Sequence, residues 1–241
     1  MSQVAIFAEN DGEDIHPVTY ELLGKGRELA DKLGVNLTAI LLSGSDLPRE
    51  ELIYRGADAV YYGRDASLAV PDEIAYKNVL VDVIEEFGPE ILLIGATHFG
   101  RSLAPRVAMA EDASLTADCT GLDVNEGGNF IQIRPAFSGN ILARIQSKTK
   151  LQFATVRYKQ FAEASRDTDR DGEIVKLKIN DQNFAGQEVE ITGVSSNEGV
   201  NLEDAEIIVA GGRGLEDPGD LELLQSLVDV TGGELGASRP L

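Results

Sequence analysis

Apolar and polar residues alternate in blocks along the first two-thirds of the chain. QVAIFAE, residues 3–9, is apolar enough for a strand buried on both faces. From Pro17 to Leu33 the apolar residues Val18, Leu22, Leu23, Leu29, Ala30 and Leu33 recur at helical spacing. Pro17 suits a first helical turn and Gly34 a stop. NLTAILLSG predicts a second strand, LPREELIYRG a short helix ending at Gly56, and AVYYG a third strand. Asp72–Phe87 predicts a helix set between Pro71 and Gly88, and EILLIGAT a fourth strand. Repeated strand–helix–strand units need crossover helices. The expected class is therefore α/β, a mostly parallel sheet with helices on both faces.

The pattern changes at Thr120. GLDV, NFIQIRPAF, NILARIQ and QFATVRY are short β-type runs, read as strands that finish the sheet with antiparallel pairing at an edge. Residues 161–172 are polar and predict an exposed loop. EIVKLKIN and VEITGVS are two more β-type runs. SSNEGVNLEDA is a polar break and marks the expected boundary between a domain of residues 1–195 and the start of a second, 196–241. After it, EIIVAGGRG predicts a strand ending in a glycine turn, Leu221–Val230 a helix stopped by Gly232-Gly233, and ELGASRP a second strand. A right-handed crossover would set these two strands side by side and parallel.

Charge narrows the partners. The chain has 241 residues, 41 acidic against 21 basic, and a formal net charge of −20. Such a charge disfavours non-specific binding to nucleic acid or to an anionic membrane. It suits a solvated acidic surface, a salt-adapted host or a basic partner. A single cysteine, Cys119, excludes an internal disulfide framework and fits a reducing compartment. No apolar run approaches the roughly 18 residues of a membrane span. MSQVAIFAEN carries no signal-peptide pattern, so the expectation is a cytoplasmic protein or a mature protein already processed.

Candidate chemistry is sparse. GATHFGRS, Gly95–Ser102, has the glycine spacing of a phosphate-binding loop, but Arg101 stands where that loop needs Lys. The other reading is a tight strand-to-helix turn with Arg101 and Arg106 in ion pairs. His16 and His98 lack partners at metal-ligand spacing, and Cys119 reads as a small buried residue rather than a nucleophile. Gly139-Asn140 suits a hairpin-like turn. In the C-terminal crossover, Gly212-Arg213-Gly214 gives only part of a dinucleotide fingerprint, with Asp217 at the third glycine position. Acidic Glu216, Asp217 and Asp220 at the helix start disfavour a phosphate there. Even so, Arg213 follows the first strand and Ser238 and Arg239 end the second. Two arginines and a hydroxyl at the carboxyl ends of parallel strands suit an anionic, planar cofactor; equally, both arginines could solvate loop ends.

Four segments together settle the comparison: LLIGATHFGRSLAPRVA, LTADCTGLDV, IRPAFSGNILA, and IIVAGGRGL followed by LGASRP. In this order and spacing the chain resembles the α subunit of electron transfer flavoprotein, the FixB-type subunit, across nearly its whole length. The resemblance implies a Rossmann-like N-terminal domain that packs on a β subunit and a C-terminal domain that holds most of the FAD. It implies an electron carrier rather than an enzyme with its own substrate, taking electrons from flavin dehydrogenases and passing them to a quinone oxidoreductase or another acceptor. By the same resemblance Arg213, Ser238 and Arg239 contact FAD. The cation of the Ser-Arg pair lies against the flavin ring and favours its reduced, anionic form. The family pattern continues past Leu241 with VGQTG-like, GISG-like and INKD-like segments that carry most other FAD contacts. The expectation is therefore of a form truncated within its FAD domain, binding FAD weakly or not at all by itself. Two readings compete with this one: an adenine-nucleotide-binding α/β domain, and a structural interaction subunit without cofactor.

Overall fold

Each buried apolar run in the N-terminal region forms a strand, and each apolar-periodic run a helix. The computed structural model describes residues 3–137, 139–186, 192–193, 202, 205–215 and 218–238. The chain divides into two compact units, Met1–Val189 and Glu190–Leu241. In the first, β1 (Val4–Ala8), α1 (Val18–Leu33), β2 (Leu37–Ser43), α2 (Glu50–Tyr54) and β3 (Ala59–Arg64) lead to α3 (Glu73–Phe87), β4 (Ile91–Gly95) and α4 (His98–Ala110). There follow β5 (Ser114–Cys119), β6 (Gly121–Val124), β7 (Phe130–Ala136), β8 (Ile141–Ile145), β9 (Gln152–Val156) and β10 (Glu173–Lys176).

The sheet has seven strands in the order β10-β3-β2-β1-β4-β9-β5, with every pairing parallel. The α/β, Rossmann-like expectation holds. β1, β2 and β4 are buried at every residue, as strands covered on both faces must be. Alternate residues feed two cores. Val4, Ile6 and Ala8 face α1 and α2 with Leu22, Leu29 and Leu52. Ala5 and Phe7 face α3 and α4 with Tyr76, Leu80, Leu103 and Val107. Helix ends fall where the sequence places them: Gly34 and Gly88 cap α1 and α3 at φ of 66° and 67°, where a Cβ would be strained. The Asp72 carboxylate accepts the amides of Ile74 and Ala75 at 3.0 and 2.8 Å and starts α3.

The β-type runs after Thr120 depart from expectation. GLDV, NFIQIRPAF and NILARIQ do not finish the parallel sheet. They form a separate three-stranded antiparallel sheet, β6-β7-β8. It packs on the α1 side through Leu122 and Phe130 and is tied to α1 by a 2.8 Å Lys32–Asp123 ion pair. Of these four runs QFATVRY alone joins the main sheet, as β9, between β4 and β5. The edge strand β5 comes from SLTADC, a stretch whose half-buried residues give no clear period.

Residues 157–172 have no regular structure but are pinned down. The buried Glu21 carboxylate accepts the amides of Lys159, Gln160 and Phe161 at 2.8, 2.9 and 3.0 Å. Arg166 pairs with Glu51 at 2.8 Å and Arg170 with Asp58 at 2.7 Å. β10 then returns to pair with β3. The run VEITGVS, apart from Thr192 and Gly193, lies outside the described residues, as does most of the polar break after it.

In the second unit β11 (Ile208–Gly211), α5 (Pro218–Thr231) and β12 (Glu234–Ala237) form one crossover. The two strands are parallel and adjacent, with Ile208 opposite Glu234 and Gly211 opposite Ala237.

Candidate cofactor site

The register of β11 against β12 brings both carboxyl ends to the same level. Beyond Ala237, the Ser238 amide donates to the Gly211 carbonyl at 3.1 Å and carries the ladder one residue further. Beyond Gly211, the Leu215 amide donates to the Gly212 carbonyl at 2.9 Å and closes a turn with Arg213 and Gly214 at its centre. Arg213 and Ser238 are both exposed. A Cβ on Gly212 would lie 3.2 Å from Ser238 Oγ, so the bare glycine is what lets the serine hydroxyl sit beside the turn. A Cβ on Gly211 would clash with Leu215 and Leu224, which fixes the helix close to the strand. Of the three predicted site residues, Arg213 and Ser238 are therefore brought to one place by the parallel register. Arg239 lies outside the described residues.

A hydroxyl-bearing residue and an arginine-bearing turn thus stand at the end of a parallel strand pair, the place where an open α/β sheet receives a ligand. The helix is amphipathic in an unusual sense. Leu224 and Val228 are half-buried, whereas Leu223, Leu227 and Val230 form an exposed stripe, at 70, 50 and 84% exposure.

The turn Gly95–Ser102 is a packing device. Thr97 Oγ1 accepts the Gly100 amide at 2.9 Å and caps α4. Gly100 packs on the Gly95 carbonyl so closely that no side chain fits. Arg101 pairs with Asp118 at 3.0 Å. Arg106 donates to the Ser102 carbonyl and hydroxyl, and that hydroxyl donates to Glu73 at 2.8 Å. Both arginines are thus committed to neighbours, Arg106 through hydrogen bonds rather than an ion pair.

Composition alone did not reveal Glu9. It follows β1 directly, is 8% exposed, and accepts a hydrogen bond from Thr97 Oγ1 at 2.8 Å. Burial pushes its carboxyl up to about 7, against a smaller lowering by the Thr97 hydroxyl. The only sequence signal was an acid at the end of an otherwise apolar strand. The thiol of buried Cys119 is pushed up to about 12 by burial, which is the chemistry of an inert side chain. No group of three or more potential metal ligands occurs among the described residues. The β7–β8 hairpin presents Phe137, Ile141 and Leu142 to solvent at 80, 53 and 64% exposure, with Phe137 at a φ of 48° beside Gly139.

Two family models match the chain. Residues 4–182 match the family model described as the electron transfer flavoprotein domain, and residues 201–241 match the electron transfer flavoprotein FAD-binding domain. The electron transfer flavoprotein subunit alpha of Thermoanaerobacterium thermosaccharolyticum is 42% identical over 238 residues, which cover 97% of this chain and 72% of that protein. Protein FixB of Clostridium saccharobutylicum is 40% identical, covering 98% of this chain and 71% of the relative. Lactate dehydrogenase (NAD(+),ferredoxin) subunit LctC of Acetobacterium woodii is 37% identical; 98% of this chain spans 57% of that longer protein. Matched over both of its units, the chain belongs to the electron transfer flavoprotein family, on its α-subunit or FixB side.

Proposed function

We propose that this chain is the α subunit of an αβ electron carrier and that it holds FAD at the carboxyl ends of β11 and β12. The observation that carries this reading is the parallel register, which sets the Arg213 turn against Ser238. FAD supplies the electron storage when bound. The chain's own residues orient it: the Gly212–Gly214 turn admits the cofactor closely, Ser238 offers a hydroxyl, and Arg213 with Arg239 supplies positive charge in a chain of net charge −20. Electrons would enter from flavin dehydrogenases and leave to a quinone oxidoreductase or another acceptor, without substrate turnover by this chain. The relative LctC bears the name of a dehydrogenase subunit, so such a carrier also suits a permanent place in an oxidoreductase complex.

In this reading residues 1–195 form the docking base for the β subunit, and the β7–β8 hairpin is the face that supports it. Among the described residues β8 pairs with β7 alone, and its Ile141 and Leu142 are exposed together with Phe137. An open strand edge beside exposed apolar side chains is suited to a protein partner. Residues 196–241 form the first part of the FAD domain. Among the described residues Arg213, Ser238 and the stripe on α5 are exposed, and the 241-residue chain alone is expected to bind FAD weakly or not at all. Among the described residues no helix is long and apolar enough to cross a membrane. A cytoplasmic location belongs to the same proposal and is supported by the single cysteine, which fits a reducing compartment.

The test is flavin content. The α chain carrying the family's remaining segments, co-purified with β, should show flavin absorbance, and Arg213→Ala should reduce occupancy at least tenfold. Absence of flavin from the wild-type complex would overturn the reading, as would unchanged flavin affinity in the Arg213→Ala complex.

A further inference from the structure

A second candidate site lies far along the parallel sheet from the switch point between β1 and β4. An open groove of about 630 Å³ is lined by Asp46, Arg49, Tyr62, Arg64, Ile174 and Lys176. Its cations come from three different segments: the turn before α2, the end of β3, and the edge strand β10. The sheet brings them together. Lys176 is in register with Tyr62, and Arg64 lies two residues beyond Tyr62 and so on the same face.

The groove is organised in advance. The Asp46 carboxylate takes Arg49 Nη1 at 3.0 Å, Arg64 Nη1 at 3.5 Å and the Tyr62 hydroxyl at 3.3 Å. Glu50 approaches Arg49 Nε at 3.5 Å. The Arg49 guanidinium is stacked over the Tyr62 ring, 4.7 Å from its centroid, which restricts its rotation. One carboxylate thus holds two guanidiniums, and each retains N–H donors beyond those it uses. Lys176 adds an ammonium with no acidic partner among the described residues. Three cations face two acids here, whereas the chain as a whole has nearly two acids per base. The chemistry matches forked, charge-assisted recognition of oxyanions, and the volume falls within the range of small-molecule sites.

We propose that this groove binds a small soluble compound carrying phosphate groups, held by Arg49, Arg64 and Lys176, at a place separate from the FAD reading of the C-terminal unit. The probe is inorganic pyrophosphate, titrated into the 241-residue chain at ionic strength held constant with sodium chloride, with thermal unfolding as the readout. A saturating rise in Tm at millimolar concentration is expected. Arg64→Gln and Lys176→Gln, each shown to be folded by circular dichroism, should weaken the apparent Kd at least tenfold. Lys148→Gln, of equal charge change in another part of the unit, should leave it unchanged. A rise that does not saturate, or that is equal in all four proteins, is general ion screening and overturns the proposal; so does no response. Lys176→Gln that self-associates while still responding to pyrophosphate would assign Lys176 to protection of the β10 edge instead, and also overturns it.

Discussion

Thr97 Oγ1 donates to the Glu9 carboxylate across 2.8 Å, joining residues 88 apart in the chain at the carboxyl ends of β1 and β4. The same hydroxyl accepts the Gly100 amide and caps α4. One threonine thus ties a buried acid to the start of a helix. This is the crevice where an open parallel sheet ordinarily receives its ligand. Here two of the chain's own side chains meet across it.

That contact sets a pH dependence. Burial raises the Glu9 pKa from 4.5 to about 7, so folding favours the protonated acid. A raised pKa gives stability that is complete below the unfolded value and is lost as pH rises through about 7. Relative to Glu9→Gln, the wild type should lose about 2.5 kcal/mol between pH 5 and pH 8. Urea unfolding of both proteins across that range measures it. A constant difference between them would show that the carboxyl does not titrate in this window.

Glu21 should matter more than any surface acid. It gathers three backbone amides of the 157–172 segment, and its replacement leaves those donors without an acceptor. Glu21→Ala is expected to cost about 2–4 kcal/mol, the range for losing buried, charge-assisted hydrogen bonds. Trypsin should then cut faster at Arg166 and Arg170, as limited proteolysis under native conditions would reveal. Unaltered cleavage would mean that the Arg166–Glu51 and Arg170–Asp58 pairs alone hold the segment.

Association with the β subunit should depend on the β7–β8 hairpin. Phe137→Ala and Leu142→Asp remove side chains that are 80 and 64% exposed, so neither should alter the stability of the chain appreciably. Each should weaken binding by about 1–3 kcal/mol if it lies near the centre of the interface. Sedimentation or calorimetry with purified β subunit decides it, and wild-type affinity in both variants would move the interface elsewhere.

Cys119 should be inert in the folded protein. With its thiol pushed up to about 12, alkylation by iodoacetamide at pH 8 should be on the order of a thousandfold slower than for a free thiol. The rate should rise to that of a free thiol in denaturant. Mass spectrometry follows both, and rapid labelling of the native chain would contradict the buried placement.

Much of the fold is legible in the chain itself. Unbroken apolar runs such as VAIFA and ILLIG can only be satisfied by burial on both faces, and the repeating crossovers then require a parallel sheet. The glycines at 34 and 88 and the carboxylate at 72 mark helix ends through purely local chemistry. The Arg213 turn and Ser238 could be singled out because each directly follows a strand of a single short crossover. What local pattern does not encode is which strand lies beside which. Alternation tells a side chain its face, not its neighbour. Tertiary packing placed β9 between β4 and β5, sent three β-type runs into their own antiparallel sheet, and brought Lys176 alongside Tyr62. It also joined Glu9 to Thr97 and folded residues 159–161 onto Glu21. The Glu9 and Glu21 contacts span from 88 to 140 residues of sequence, and they depend on the order of strands in a sheet that exists only once the whole unit has assembled.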